Sequence, residues 1–122
     1  MTAAPNEKKE TADISLNVDP GICGFTCVVN VYRMEKRTVR VTIDGSECKQ
    51  IQRLTAALDH ITLKELFMPL TRNPVYAAAE KAGCHSSCVI PAAVLKATEA
   101  AMGMAIARDV QLVFDPVKRG SE

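Results

Sequence analysis

Thr38-Val39-Arg40-Val41-Thr42-Ile43-Asp44 alternates apolar and polar side chains without a break. Successive side chains of a strand point to opposite faces, so Val39, Val41 and Ile43 share one face while Thr38, Arg40 and Thr42 share the other. That is the pattern of a strand with one face buried and one in water. Residues 26–33 read as a second strand, and the charged run Met34-Glu35-Lys36-Arg37 between the two reads as a hairpin loop. A one-residue slip would turn every side chain to the wrong face. Aligning Val29 and Val31 with the apolar stripe therefore leaves only registers that set Cys27 opposite Ile43 or Gly45. Either register carries Ser46-Glu47-Cys48 back to the end of the sheet where the residue 26–33 strand begins.

Upstream, Ile14, Leu16 and Val18 alternate as a strand that ends in the turn residues Asp19-Pro20-Gly21. The loop that follows holds Cys23 between Gly21 and Gly24. Downstream, Asp44 and Glu47 resemble a capping box, and Ile51, Leu54, Leu58 and Ile61 recur at helical spacing, predicting a helix over 46–59. A short helical piece over 63–68 stops at Pro69. Asn73 before Pro74 opens another helix, and Gly83 ends it. Cys84-His85-Ser86-Ser87-Cys88 then leads to a helix beginning near Pro91, with Val94, Leu95, Thr98 and Met102 facing inward and Gly103 closing it. Residues 109–114 read as a last strand. The order βββαααβ predicts an α+β fold, a small and mainly antiparallel sheet of about four strands with helices packed on one face.

The chain has 122 residues, enough for one domain with a real core. The expectation is a polar tail over 1–12, a domain over 13–116 and a short tail over 117–122. Hydrophobic residues make up 48% of the chain but aromatic ones only 4%, with no Trp, so aliphatic side chains must fill the core; Met102 and Met104 are expected to help. Fifteen Lys and Arg against fourteen Asp and Glu, scattered along the chain, give no phosphate-binding stripe and argue against a nucleic-acid partner. No leader pattern and no long apolar run is seen, so the expected setting is the cytoplasm, away from membranes. A protein partner and the oligomeric state are left open.

Five cysteines in a reducing compartment point to free thiols or thiolate ligands rather than structural disulfides. Thiolates bind soft metals and iron-sulfur clusters, which commonly take four ligands. The candidates are Cys23, Cys27, Cys48, Cys84 and Cys88, with His85 beside them. Cys23 and Cys27, if extended, would lie about 13 Å apart, so the glycine-rich loop must fold back to bring them to one ion. Cys48 and Cys88 fall near helix starts, where unpaired amides and the helix dipole favour a thiolate. Cys27 shares its strand with Val29 and Val31 and has a competing place in the core. The reading is a non-catalytic protein that holds an iron-sulfur cluster or zinc through Cys23, Cys48, Cys84 and Cys88, with Cys27 as alternative fourth ligand. Two other readings stand beside it: a thiol-disulfide protein exchanging electrons through Cys84 and Cys88 with Cys48 activated, and an interaction module whose cysteines simply pack. No phosphate loop, nucleophile elbow or paired-carboxylate arrangement points to catalysis.

Pro20-Gly21-Ile22-Cys23-Gly24-Phe25, Ser46-Glu47-Cys48, Asn73-Pro74-Val75-Tyr76 and Ser87-Cys88-Val89-Ile90-Pro91 together resemble an uncharacterised family of small cysteine-containing proteins from anaerobic bacteria and archaea, over residues 18–114. The resemblance implies an anaerobic setting, in which oxygen-sensitive clusters are easier to keep, and no activity. Gly83-Cys84, Ser87-Cys88, Leu95-Lys96 and Glu99 are locally similar to the C-terminal scaffold domain of NifU-type iron-sulfur assembly proteins, where a paired-cysteine loop leading into a helix holds a transient cluster. Here the two cysteines are one residue further apart and follow a helix rather than a strand.

Overall fold

A computed structural model of the chain describes residues 11–116. Apart from Thr11 and Ala12, both expected tails lie outside the described residues. Strands β1 (Ile14–Val18), β2 (Cys27–Met34) and β3 (Thr38–Asp44) come first, followed by helix α1 (Lys49–Ala57) and strand β4 (His60–Thr62). Helix α2 (Leu63–Leu66), a 3-10 turn (Leu70–Arg72), α3 (Pro74–Ala82) and α4 (Ile90–Ala101) complete the order. The fold is α+β, with four antiparallel strands lying side by side in sequence order.

The β2-β3 hairpin pairs Val28 with Asp44, Val31 with Val41 and Met34 with Thr38. Cys27 is thereby opposite Gly45, one of the two registers the alternation allowed. Val29, Val31, Val39, Val41 and Ile43 line the buried face. On the other face Asn30 and Thr42 donate to the Asp44 carboxylate at 2.7 and 2.8 Å, Ser15 hydrogen-bonds Asn30, and the Arg40 guanidinium lies 4.1 Å from the Tyr32 ring centre. That face is polar and meets water, as one-sided strands require.

Helix α1 packs against β3, α4 lies across β1 and β2, and α3 packs on α1 and α4. All three therefore build on one side of the sheet. Ile51 and Leu54 of α1, Val75, Ala79 and Ala82 of α3, and Ile90, Val94, Ala97 and Ala101 of α4 meet the sheet valines in one core. Asn73 caps α3 as expected, accepting from the Val75 N–H at 3.0 Å, and its amide also donates to the carbonyls of Glu65, Leu66 and Met68. Gly83 ends α3 in the left-handed conformation, φ +81°.

Four expectations are corrected. Residues 109–114 form no strand: 106–116 lack regular structure and are exposed. The fourth strand is instead His60–Thr62, beside β3. Ile61 continues the helical spacing of Ile51, Leu54 and Leu58, but α1 ends at Ala57 and Leu58 is already extended, and three residues are too few to show a period of two. The capping box is formed by Thr62 and Glu65 at the start of α2, not by Asp44 and Glu47, because Asp44 is engaged on the open face of the sheet. Met104 is exposed beyond the end of α4 and adds nothing to the core.

Candidate functional site

One end of the molecule collects the end of β1, the start of β2, the end of β3, the N-termini of α1 and α4 and the C-terminus of α3. Each of these boundaries carries or adjoins a cysteine. Val18 pairs with Cys27 across β1 and β2, which fixes the loop carrying Cys23 at this edge. The loop folds back rather than extending: Asp19 Oδ1 accepts from the Gly21 N–H at 3.0 Å and the Gly24 N–H donates to the Gly21 carbonyl at 2.9 Å. Gly21 and Gly24 hold φ of +98° and +73°, a region where a side chain is strained.

Cys48 is the N-cap residue of α1, half-buried, its thiol donating to Gln50 Oε1 at 3.2 Å and its N–H to Ser46 Oγ at 3.1 Å. Cys84 follows Gly83 at the end of α3, its N–H donating to the Ala79 carbonyl at 3.0 Å. Arg53 of α1 ties that end down, with Nε donating to the Ala82 carbonyl at 3.0 Å. Cys88 closes a tight turn, its N–H donating to the His85 carbonyl at 3.1 Å, and stands just before α4. All five cysteines are free thiols: Cys23 is exposed, Cys27 buried, and Cys48, Cys84 and Cys88 are half-buried.

Electrostatics ties the five together. Burial pushes the Cys27 thiol from an ordinary 9.0 up to about 11, and Cys88, Asp44, Cys23 and Cys48 add to the rise. Cys84 is raised by burial and by Cys88 and Cys48, with Arg53 opposing. Cys88 is raised by burial, held back by a hydrogen bond from the Ile90 N–H at the start of α4, and raised further by Cys48 and Cys23. Cys88 is thus within electrostatic reach of all four other thiols. Burial first, and neighbouring thiols second, discourage Cys27, Cys84 and Cys88 from ionising.

The expected candidates therefore share one end of the fold, although Cys27 also belongs to the core. Among the described residues no group of three or more His, Cys, Asp or Glu side chains is arranged to hold a metal ion. His85 is exposed and its Nδ1 hydrogen-bonds Ser87 Oγ at 3.1 Å. Asp44, on the open face of the sheet, adds to the rise of Cys27, and Arg53 opposes that of Cys84; neither was legible as a site residue. Arg53 sits one turn after Gln50 on α1, but nothing in the sequence pairs it with the end of α3. No helix among the described residues is long and apolar enough to cross a membrane.

A family described as a family of unknown function, DUF6951, matches residues 14–114. The match covers nearly the stretch over which the sequence resembles an uncharacterised family. No curated protein and no solved structure matches the chain.

Proposed function

This chain belongs to DUF6951, a family of unknown function, and on that premise we propose that it holds an iron-sulfur cluster or a zinc-like soft metal as a non-catalytic accessory or carrier protein of the cytoplasm. Its ligands are Cys23, Cys48, Cys84 and Cys88, with Cys27 the alternative fourth. The observation that carries this reading is the position of Cys88 within electrostatic reach of every other thiol. Cys84 and Cys88 are held protonated chiefly by burial and further by neighbouring thiols; a bound metal would deprotonate its ligands and turn that mutual repulsion into shared coordination. The N-termini of α1 and α4 add favourable potential for a negatively charged thiolate centre. Since no three candidate donors among the described residues are grouped to hold an ion in the metal-free chain, loading would draw the Cys23 loop and the segments of Cys48, Cys84 and Cys88 together.

The test is iron, zinc and sulfide content, together with a visible absorption spectrum, on protein purified without oxygen. Near-stoichiometric metal that is lost in Cys48→Ser and Cys88→Ser supports the proposal; a metal-free and fully folded protein overturns it. The half-buried free thiols Cys48, Cys84 and Cys88, which act on one another electrostatically, favour a second reading as a thiol-disulfide protein. Alkylation after oxidation separates the two, because an exchanging pair loses two reactive thiols with no metal present.

A further inference from the structure

We infer that the chain pairs with a second copy of itself by exchanging its C-terminal arm, residues 106–116, each arm adding a strand to the free edge of the other copy's β1. Helix α4 ends at Ala101 and Gly103 turns with φ +74°. Beyond it the arm carries Ile106, Val110, Leu112, Val113 and Phe114, exposed by 85, 56, 82, 75 and 100%. Such a concentration of large apolar side chains in water marks a surface meant to be covered. The alternation of Val110, Leu112 and Phe114 against Asp109, Gln111 and Val113 is that of a strand, and the segment finds no strand partner among the described residues.

The matching vacancy is β1. It pairs with β2 on one side and with nothing among the described residues on the other. Edge strands that face water are ordinarily blunted by charge or proline, yet Ile14-Ser15-Leu16-Asn17-Val18 has neither. Its apolar residues are only half-covered by α4, while Ser15 and Asn17 face water. A strand laid antiparallel alongside sets Val110, Leu112 and Phe114 beside Val18, Leu16 and Ile14, and Gln111 and Val113 beside Asn17 and Ser15. The opposite edge, β4, is three residues long and runs directly into α2, so β1 is the edge with room.

A second copy is the occupant because each chain offers one arm and one such edge, and reciprocal exchange satisfies both and closes as a two-fold pair. At about 3.3 Å per residue the arm spans about 36 Å, about twice the length of β1. The family match itself runs from the first residue of β1 to Phe114, the last apolar residue of the arm. The inference does not depend on the proposed metal site and is tested without it.

The test is analytical ultracentrifugation of the reduced, metal-free full chain, with photo-crosslinking from position 112 in a mixture of unlabelled and nitrogen-15-labelled copies. A dimer is expected, with the crosslink joining the arm of one isotope to the peptide carrying β1 of the other. Leu112→Asp with Phe114→Asp, which touches nothing in the core, should weaken association at least 100-fold and leave the circular dichroism of the fold unchanged. A monomer, a dimer indifferent to these substitutions, or a crosslink within one copy or to any other segment would overturn the inference.

Discussion

Cys27 shows what burial does to a single thiol. Below pH 9 it is protonated in the folded and the unfolded chain alike, so its contribution to stability is complete. Between pH 9 and about 11 the unfolded chain gives up this proton while the folded one keeps it, and stability falls. Two units correspond to about 2–3 kcal/mol. Urea unfolding of reduced, metal-free protein at pH 8 and pH 11 should show this loss, and Cys27→Val should reduce it; Cys84 and Cys88, also raised, act in the same direction. Thr98 is a second residue with a readable cost. It is fully buried in α4 and its hydroxyl has no hydrogen-bond partner among the described residues. Thr98→Val keeps the shape and removes the stranded polar atom, so it should raise stability by about 1 kcal/mol in the same assay. Asn73 is the opposite case, buried and bonded by both ends of its amide. Asn73→Ala removes the cap of α3 and strands carbonyls at the end of α2, for an expected loss of about 2–4 kcal/mol.

At the scale of elements, the β2-β3 turn carries strain that the sequence need not have. Lys36 and Arg37 both adopt positive φ, 61° and 52°, where Asn and Gly are preferred in tight hairpins. Replacing the pair with Asn-Gly should raise the midpoint of thermal unfolding, with about 1–2 kcal/mol gained; an unchanged midpoint would mean that the turn relaxes. The same hairpin explains which elements were legible in advance. Seven residues of strict alternation in β3, two flanking valines in β2 and the Asn73-Pro74 to Gly83 punctuation of α3 each express one local rule. β4 was hidden because three residues show no period and Ile61 happens to fit the helical spacing before it. The residue 109–114 segment reads as a strand by the same rule that identifies β3, yet it pairs with no strand among the described residues. Local alternation specifies the conformation of a strand but not its neighbour.

For the whole molecule, the question is how far the thiols could be gathered from sequence. The hairpin register alone returned Cys48 toward the loop of Cys23, and helix starts placed Cys48 and Cys88. What the sequence could not supply was the direction of packing: α3 brings Cys84 to this end only because its C-terminus lies against the start of α1, through Arg53. If the proposed reading holds, metal added to the reduced chain raises stability by mass action, about 2.7 kcal/mol at one hundred times the dissociation constant. Calorimetry with zinc should show this rise in the parent chain and not in Cys88→Ser.

The placement of the tyrosines has an optical consequence. The chain has no Trp and two Tyr. Tyr32 lies on the open face of the sheet beneath Arg40, near the hairpin turn, and Tyr76 sits in the first turn of α3, whose last turn leads to Cys84. Neither chromophore belongs to the cysteine-bearing end. Ultraviolet emission from this protein therefore reports on the sheet and the base of α3, and any visible colour that appears on loading will be read against a background that the chain itself leaves dark.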